Sequence, residues 1–168
     1  MNVGQKSETP EVNKMRMMDA KNLLKKFHEL QEERVEAYRL FEEGFQAYIK
    51  CAPNYNFPMY RQLVHEITQG FKKISEEIVK IQQDFVELQS MPNVATFIEK
   101  IQEDEKQKLE LTVKLQLATQ NSIDHSDTQS YKEECEDLKQ SMKETIEQIN
   151  EHIEELKYET EDLFSQDT

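Results

Sequence analysis

The chain has 168 residues, 36% of them hydrophobic and 33% charged, with no Trp, three Gly and four Pro; this is one domain's length, poor in turn material and rich in helix formers, which argues against a strand-rich fold. The net charge of −13 resides in one half, since residues 1–84 carry 13 basic and 13 acidic side chains and residues 85–168 carry 8 and 21, a surface that repels phosphate backbones and disfavours direct nucleic-acid binding. No apolar run approaches the roughly 20 residues of a membrane span, and MNVGQKSETP lacks the regions of a secretory signal, so a soluble, intracellular protein without membrane contact is expected.

In chain order, residues 1–12 are polar and aperiodic and read as a disordered tail. A first helix is predicted over about 13–50, with Leu23, Phe27, Leu30, Ala37, Phe41, Phe45 and Tyr48 on one seam and Arg34 occupying a position of it. The turn CAPNYNFP follows at 51–58: Pro53 forces the chain out of the helix, Asn56 supplies a capping oxygen, Pro58 fits a first helical turn, and Tyr55 and Phe57 pack across it. The second helix, about 58–90, has an unbroken seam of Val64, Ile67, Phe71, Ile74, Ile78, Ile81, Phe85 and Leu88. Met91, Pro92 and Asn93 then break the pattern, a gap short enough for an antiparallel hairpin.

The third helix, about 93–120, is apolar at both ends but interrupted by EDEKQK at 103–108, read as a solvated stretch, with partner docking as the sharper alternative. Residues 121–129, NSIDHSDTQ, form the third loop. The fourth helix is predicted over about 128–164 and would span on the order of 50 Å, longer than the third can cover, so its acidic C-terminal part is expected to project as an arm or to pair with a partner helix. Self-association through it stays open. The whole reads as one all-α domain at 13–164, with 165–168 a tail: an elongated antiparallel four-helix bundle or coiled-coil hairpins.

No catalytic, cofactor-binding or metal constellation emerges. His65 and Glu66 resemble the opening of HExxH, but Gln69 stands where the second imidazole belongs; His28, His65, His125 and His152 are scattered and read as surface or packing residues. Cys51 and Cys135 have no partner spacing and are expected as reduced thiols. Carboxylate pairs on open helix faces have nothing to separate their proton affinities. Lys14, Arg16, Lys21, Lys25 and Lys26 form the positive cluster, without the interleaved aromatics of a nucleic-acid platform. The expectation is a protein that is no enzyme and works through protein partners.

LQEERVEAYRLFEEGFQAYI at 30–49, the turn YNFPMYR at 55–61 and VHEITQGFKKIS at 64–75 together resemble the Required for excision 1-B domain family. The match falls on Leu30, Gln31, Glu33, Arg34, Ala37, Tyr38, Glu42, Glu43, Gly44, Tyr48, Tyr55, Phe57, Pro58, Tyr60, Arg61, Val64, Glu66, Thr68 and Phe71, with Asn56 where the family pattern has Asp. The resemblance implies a small helical protein linked to DNA excision repair, nuclear by association, with no active site to transfer. Glu33, Arg34, Glu43, Gly44, Tyr55, Phe57, Pro58, Tyr60, Arg61 and Glu66 are carried over as an interaction or structural signature. Within it, Gly44 is expected to mark the close approach of another backbone, and Arg34 and Arg61 to pair with Glu33, Glu43 or Glu66. The alternative role is a coiled-coil structural or adaptor subunit of a larger cytoplasmic or cytoskeletal assembly.

Overall fold

The computed structural model describes residues 9–88 and 91–165, and all regular elements among them are helices: α1 (Pro10–Ile49), α2 (Phe57–Leu88), α3 (Pro92–Asp124), α4 (Gln129–Glu159) and the short α5 (Glu161–Phe164). The fold is all-α. Of the expected tails, 1–12 and 165–168, residues 1–8 and 166–168 lie outside the described residues, as does the end of the second helix at 89–90. Among the described residues no helix is long and apolar enough to cross a membrane.

Three boundaries differ from the sequence reading, each for a local reason. Helix α1 starts at Pro10, not residue 13, because the Thr9 hydroxyl accepts the Val12 N–H at 3.3 Å and Pro10 fits the first turn. Helix α3 runs through Asn121–Asp124, which the turn-rich composition had assigned to a loop, and the carbonyl of Asn121 accepts the His125 N–H at 2.9 Å. The fourth helix is two elements: the Thr160 hydroxyl donates to the Leu156 carbonyl at 2.8 Å, and after this break α5 turns back onto α1. Leu163 is buried in the core and the Lys21 ammonium lies 5.8 Å from the Phe164 ring centroid. The projecting acidic arm is therefore not observed. With 33 residues in α3 and 31 in α4, the two helices cover each other.

Short connections make each helix pack on the next, α1 on α2, α2 on α3 and α3 on α4, with α5 closing against α1. At about 1.5 Å per residue, the 40 residues of α1 make the molecule long. The main core fills the end nearest the start of α1: Leu24 and Phe27 from α1, Ile78 and Phe85 from α2, Ile98 and Ile101 from α3, Leu156 from α4. Burying each such side chain contributes about 1.5–3 kcal/mol. A second, smaller cluster of Phe41, Ile67 and Phe71 lies towards the α1–α2 turn. The predicted seams of α1 and α2 are thus the buried faces, and Arg34 falls between the two clusters.

Candidate functional site

Two regions gather the polar chemistry of the bundle. The first is a layer across its middle, centred on Arg34, which is only 3% exposed. Its guanidinium donates to Gln31 Oε1 and to Gln102 Oε1, both at 2.7 Å, and to Ser75 Oγ at 3.4 Å, while Glu105 Oε1 lies 4.0 Å away and also accepts from Gln31 Nε2 at 3.4 Å. Next to Glu105 in α3, the side chain of Asp104 is hydrogen-bonded to His152 Nδ1 of α4. Burial lowers the proton affinity of Arg34, and Glu105 opposes that shift. Lys108, also lowered by burial, sits 4.0 Å above the Tyr38 ring, whose hydroxyl burial holds strongly protonated.

This layer corrects two expectations. The acidic interruption of α3 is solvated only in part: Glu103, Lys106 and Gln107 are exposed, but Asp104 and Glu105 are 5% and 8% exposed, facing His152 of α4 and Arg34 of α1. Arg34 pairs with none of Glu33, Glu43 or Glu66. Glu43 is bound by Arg39, Glu66 accepts from Gln62 Nε2 at 3.0 Å, and Glu33 and Arg61 are exposed. His152, read as a scattered histidine, belongs to the layer. The available signal was paired: a charge on the α1 seam and a charged break in the α3 seam, each facing a core with no room for an unmatched ion.

The second region is the end of the α1–α2 hairpin, where the signature residues converge. Tyr48 and Tyr60 stack with centroids 4.3 Å apart and planes at 19°, Tyr55 lies 4.9 Å from Tyr48, and Phe57 6.0 Å from Tyr55. The three hydroxyls reach one face of α3 in successive turns: Tyr60 donates to Gln116, Tyr48 to Gln120 at 3.0 Å and Tyr55 to Asp124. This ladder holds the last turn of α3 in place. Burial pushes the Tyr60 hydroxyl up to about 12, aided by Tyr48, and burial with the bond to Asp124 does the same for Tyr55.

Local sequence builds this end. Asn56 Oδ1 accepts the Met59 N–H at 3.2 Å, capping α2 as expected, with Phe57 and Pro58 in its first turn. Gly44 faces a side chain, not another backbone: a Cβ there would stand 2.3 Å from Leu63 Cδ2. Beside them opens an apolar cleft of ≈ 200 Å³ bordered by Gly44, Tyr48, Cys51, Met59, Tyr60 and Leu63. Met59 on its border is 69% exposed, and Phe57, whose ring lies 6.2 Å from that of Tyr48, is 53% exposed. Among the described residues no group of three or more His, Cys, Asp or Glu is placed to hold a metal ion.

Residues 22–119, which span the hairpin and most of α3, match a family model described as DNA repair REX1-B. A Required for excision 1-B domain-containing protein of Bos taurus is 30% identical over 141 residues, covering 84% of this chain and 77% of the relative. The Mus musculus protein of the same description is 29% identical over 139 residues, 83% of this chain and 80% of the relative. No solved structure matches the chain.

Proposed function

The chain belongs to the DNA repair REX1-B family, and from that description and from relatives named Required for excision we propose that it acts in DNA excision repair as a non-enzymatic interaction factor, receiving a protein partner at the end of the α1–α2 hairpin. The observation that carries this reading is the exposed apolar edge of Phe57 and Met59 beside the Gly44 cleft, on a base that the tyrosine ladder fixes to α3. Exposed large apolar side chains around a cleft favour a protein ligand, and a rigid base lowers the ordering cost of binding. The acidic second half of the chain disfavours DNA as the direct ligand, and the repair setting supports a nuclear location.

The test is affinity purification from cells with the full chain and with Met59→Glu and Phe57→Ser, both changed at exposed positions. Repair proteins retained by the parent and lost from both variants, at unchanged helical content, support the reading. Retention by all three moves the docking site elsewhere. Submicromolar, salt-sensitive DNA binding by the purified chain would overturn the protein-partner role. Enrichment of filament or motor components instead would favour the structural-subunit role, which rests on an overlong, acidic fourth helix and a broken third seam; the fold divides that helix at Thr160 and fills the break with the Arg34 layer.

A further inference from the structure

Resting on the docking site assigned above to the hairpin end, we propose that the Gly44 cleft is the apolar head of a longer acidic groove along the outer α1–α2 seam. The groove takes a Lys/Arg-rich segment of the protein partner, anchored in the cleft by one apolar side chain. On α1, Glu29, Glu33, Glu36, Leu40, Gly44 and Ala47 follow at steps of three and four and so share one face; on α2, Met59, Leu63, Glu66, Gly70, Lys73 and Glu77 do the same. Tyr48 meets Tyr60, Tyr38 meets Phe71 and Arg34 meets Ser75, so the two helices run antiparallel and the two faces lie side by side. The Gly44 cleft occupies the hairpin end of this seam, and a wider groove of ≈ 750 Å³, floored by Ala37, Gly70 and Ile74, continues it.

Charge selects the occupant. The wider groove is lined by Glu29, Glu32, Glu33, Glu36 and Glu77 against Lys73, and the next cleft on the same seam by Asp19, Asp84 and Glu87 against Lys26. Arg39 engages Glu36 and Glu43, and Lys80 is exposed one turn past Glu77; with both counted in, eight carboxylates along the two clefts still meet four cations. Glu29, Glu33 and Glu77 hold no ion pair among the described residues. All of the eight but Glu87 come from residues 1–84, which are neutral in sum, so the fold gathers acidic side chains onto this seam out of a balanced stretch. Such an excess attracts Lys and Arg and repels carboxylates.

The two ends of the groove differ in chemistry, which orders the segment. The head, bordered by Tyr48, Met59, Tyr60 and Leu63, has ≈ 200 Å³, room for one aromatic or branched aliphatic side chain. Glu36, Glu33 and Glu29 follow Gly44 at about 12, 16 and 22 Å along α1, so the basic charges of the segment lie at those distances from its anchor. Between head and acids stand Leu40, 46% exposed, and Gly70. A Cβ at Gly70 would meet nothing within 4 Å, so internal packing does not call for a glycine in the middle of α2, where it lowers helix propensity. In the groove it leaves the floor bare, and a segment lying along the seam reaches the α2 backbone there.

The test is fluorescence anisotropy of the full chain with a dye-labelled peptide made of a Phe, a Gly-Ser spacer of about three residues and a run of about five Lys, which when extended places its charges roughly 13 to 26 Å from the ring. The expected result is saturable binding, about tenfold weaker when the Phe is replaced by Ser, and none when the Lys run is replaced by Glu. Glu29→Lys with Glu33→Lys is expected to weaken binding about tenfold, whereas Glu147→Lys with Glu151→Lys, the same charge change at the same spacing on α4, leaves it within about twofold. Gly70→Gln is expected to raise the thermal midpoint through helix propensity and still to weaken binding about fivefold, a combination that a damaged fold does not give. Equal losses from the α1 and α4 pairs would assign the binding to net charge and overturn the proposal, as would binding of the Glu peptide or no saturation. If Met59→Ser and loss of the Phe weaken binding but the α1 pair and Gly70→Gln do not, the groove is overturned and docking at the hairpin end stands. The reverse pattern overturns the anchor and counts against the hairpin-end site itself. Self-association in sedimentation that the α1 pair abolishes would also overturn the proposal and give the groove to a second copy of the chain.

Discussion

Arg34 shows how one residue fixes the arrangement of the hairpins. It belongs to α1 and bonds Gln31 there, but two of its hydrogen bonds reach α2 and α3, and it faces the buried carboxylate of Glu105. Arg34→Met is expected to cost about 3–5 kcal/mol, since it leaves Glu105 buried without its counter-charge, whereas Arg34→Met with Glu105→Leu is expected to recover most of that loss. Urea midpoints of the two variants check this; a double variant no more stable than the single one would show that Glu105 is not what Arg34 neutralises. Gly44 is a second case. An added Cβ displaces Leu63, which turns into the adjoining cleft, and the gain in helix propensity of about 1 kcal/mol offsets the repacking. Gly44→Ala is therefore expected to stay within about 1 kcal/mol of the parent while losing capture of the hairpin-end partner, and Gly44→Ala with Leu63→Ala to regain it. The sequence marked both residues as unusual for their positions, but not their neighbours, because Glu105 and Leu63 lie on other helices and periodicity carries no register between helices.

At the scale of elements, seams were the most legible feature and ends the least. The unbroken three-and-four spacing of α2 predicts its buried face from Ile67 to Phe85, which is what the fold buries. The α1–α2 turn was legible too, because Pro53, Asn56 and Pro58 each impose a local geometry. Asn56→Ala is expected to lower stability by about 1 kcal/mol through loss of the cap on Met59 N–H, and Asn56→Asp to be close to neutral, as thermal unfolding would report. What composition missed was held by distant groups. Asn121–Asp124 reads as loop, but Tyr55 and the ladder below it keep those residues helical. The continuous spacing of the fourth helix passes through Thr160, although the hydroxyl there bonds back to Leu156 and the chain bends. A threonine hydroxyl competing for a helical carbonyl is a weak local signal, and the burial of Leu163 against the core is what makes it decisive.

For the whole molecule, the all-α architecture followed from composition and spacing, whereas the polar layer and the open α1–α4 seam depend on which helices become neighbours. His28 reports on that seam. It lies on α1, its ring 5.4 Å from that of Phe27, half-buried and facing Lys157 of α4. Burial first, and the Lys157 charge second, lower its proton affinity below the ordinary value of 6.5, with Glu32 opposing. The unfolded chain therefore takes up this proton at higher pH than the folded one. Stability tied to His28 is present above 6.5 and is lost as pH falls through the window below it. Urea midpoints measured from about pH 7.5 down to about pH 5.5, above the main carboxylate range, are expected to fall for the parent and to fall less for His28→Gln. Lys157→Met removes the second cause from the other side of the seam and is expected to flatten the profile in part. If His28→Gln leaves the slope unchanged, the proton is taken up elsewhere and α1 and α4 are not coupled through this pair. If both variants flatten it in that order, the two helices sense each other's charge across a seam that their backbones do not close.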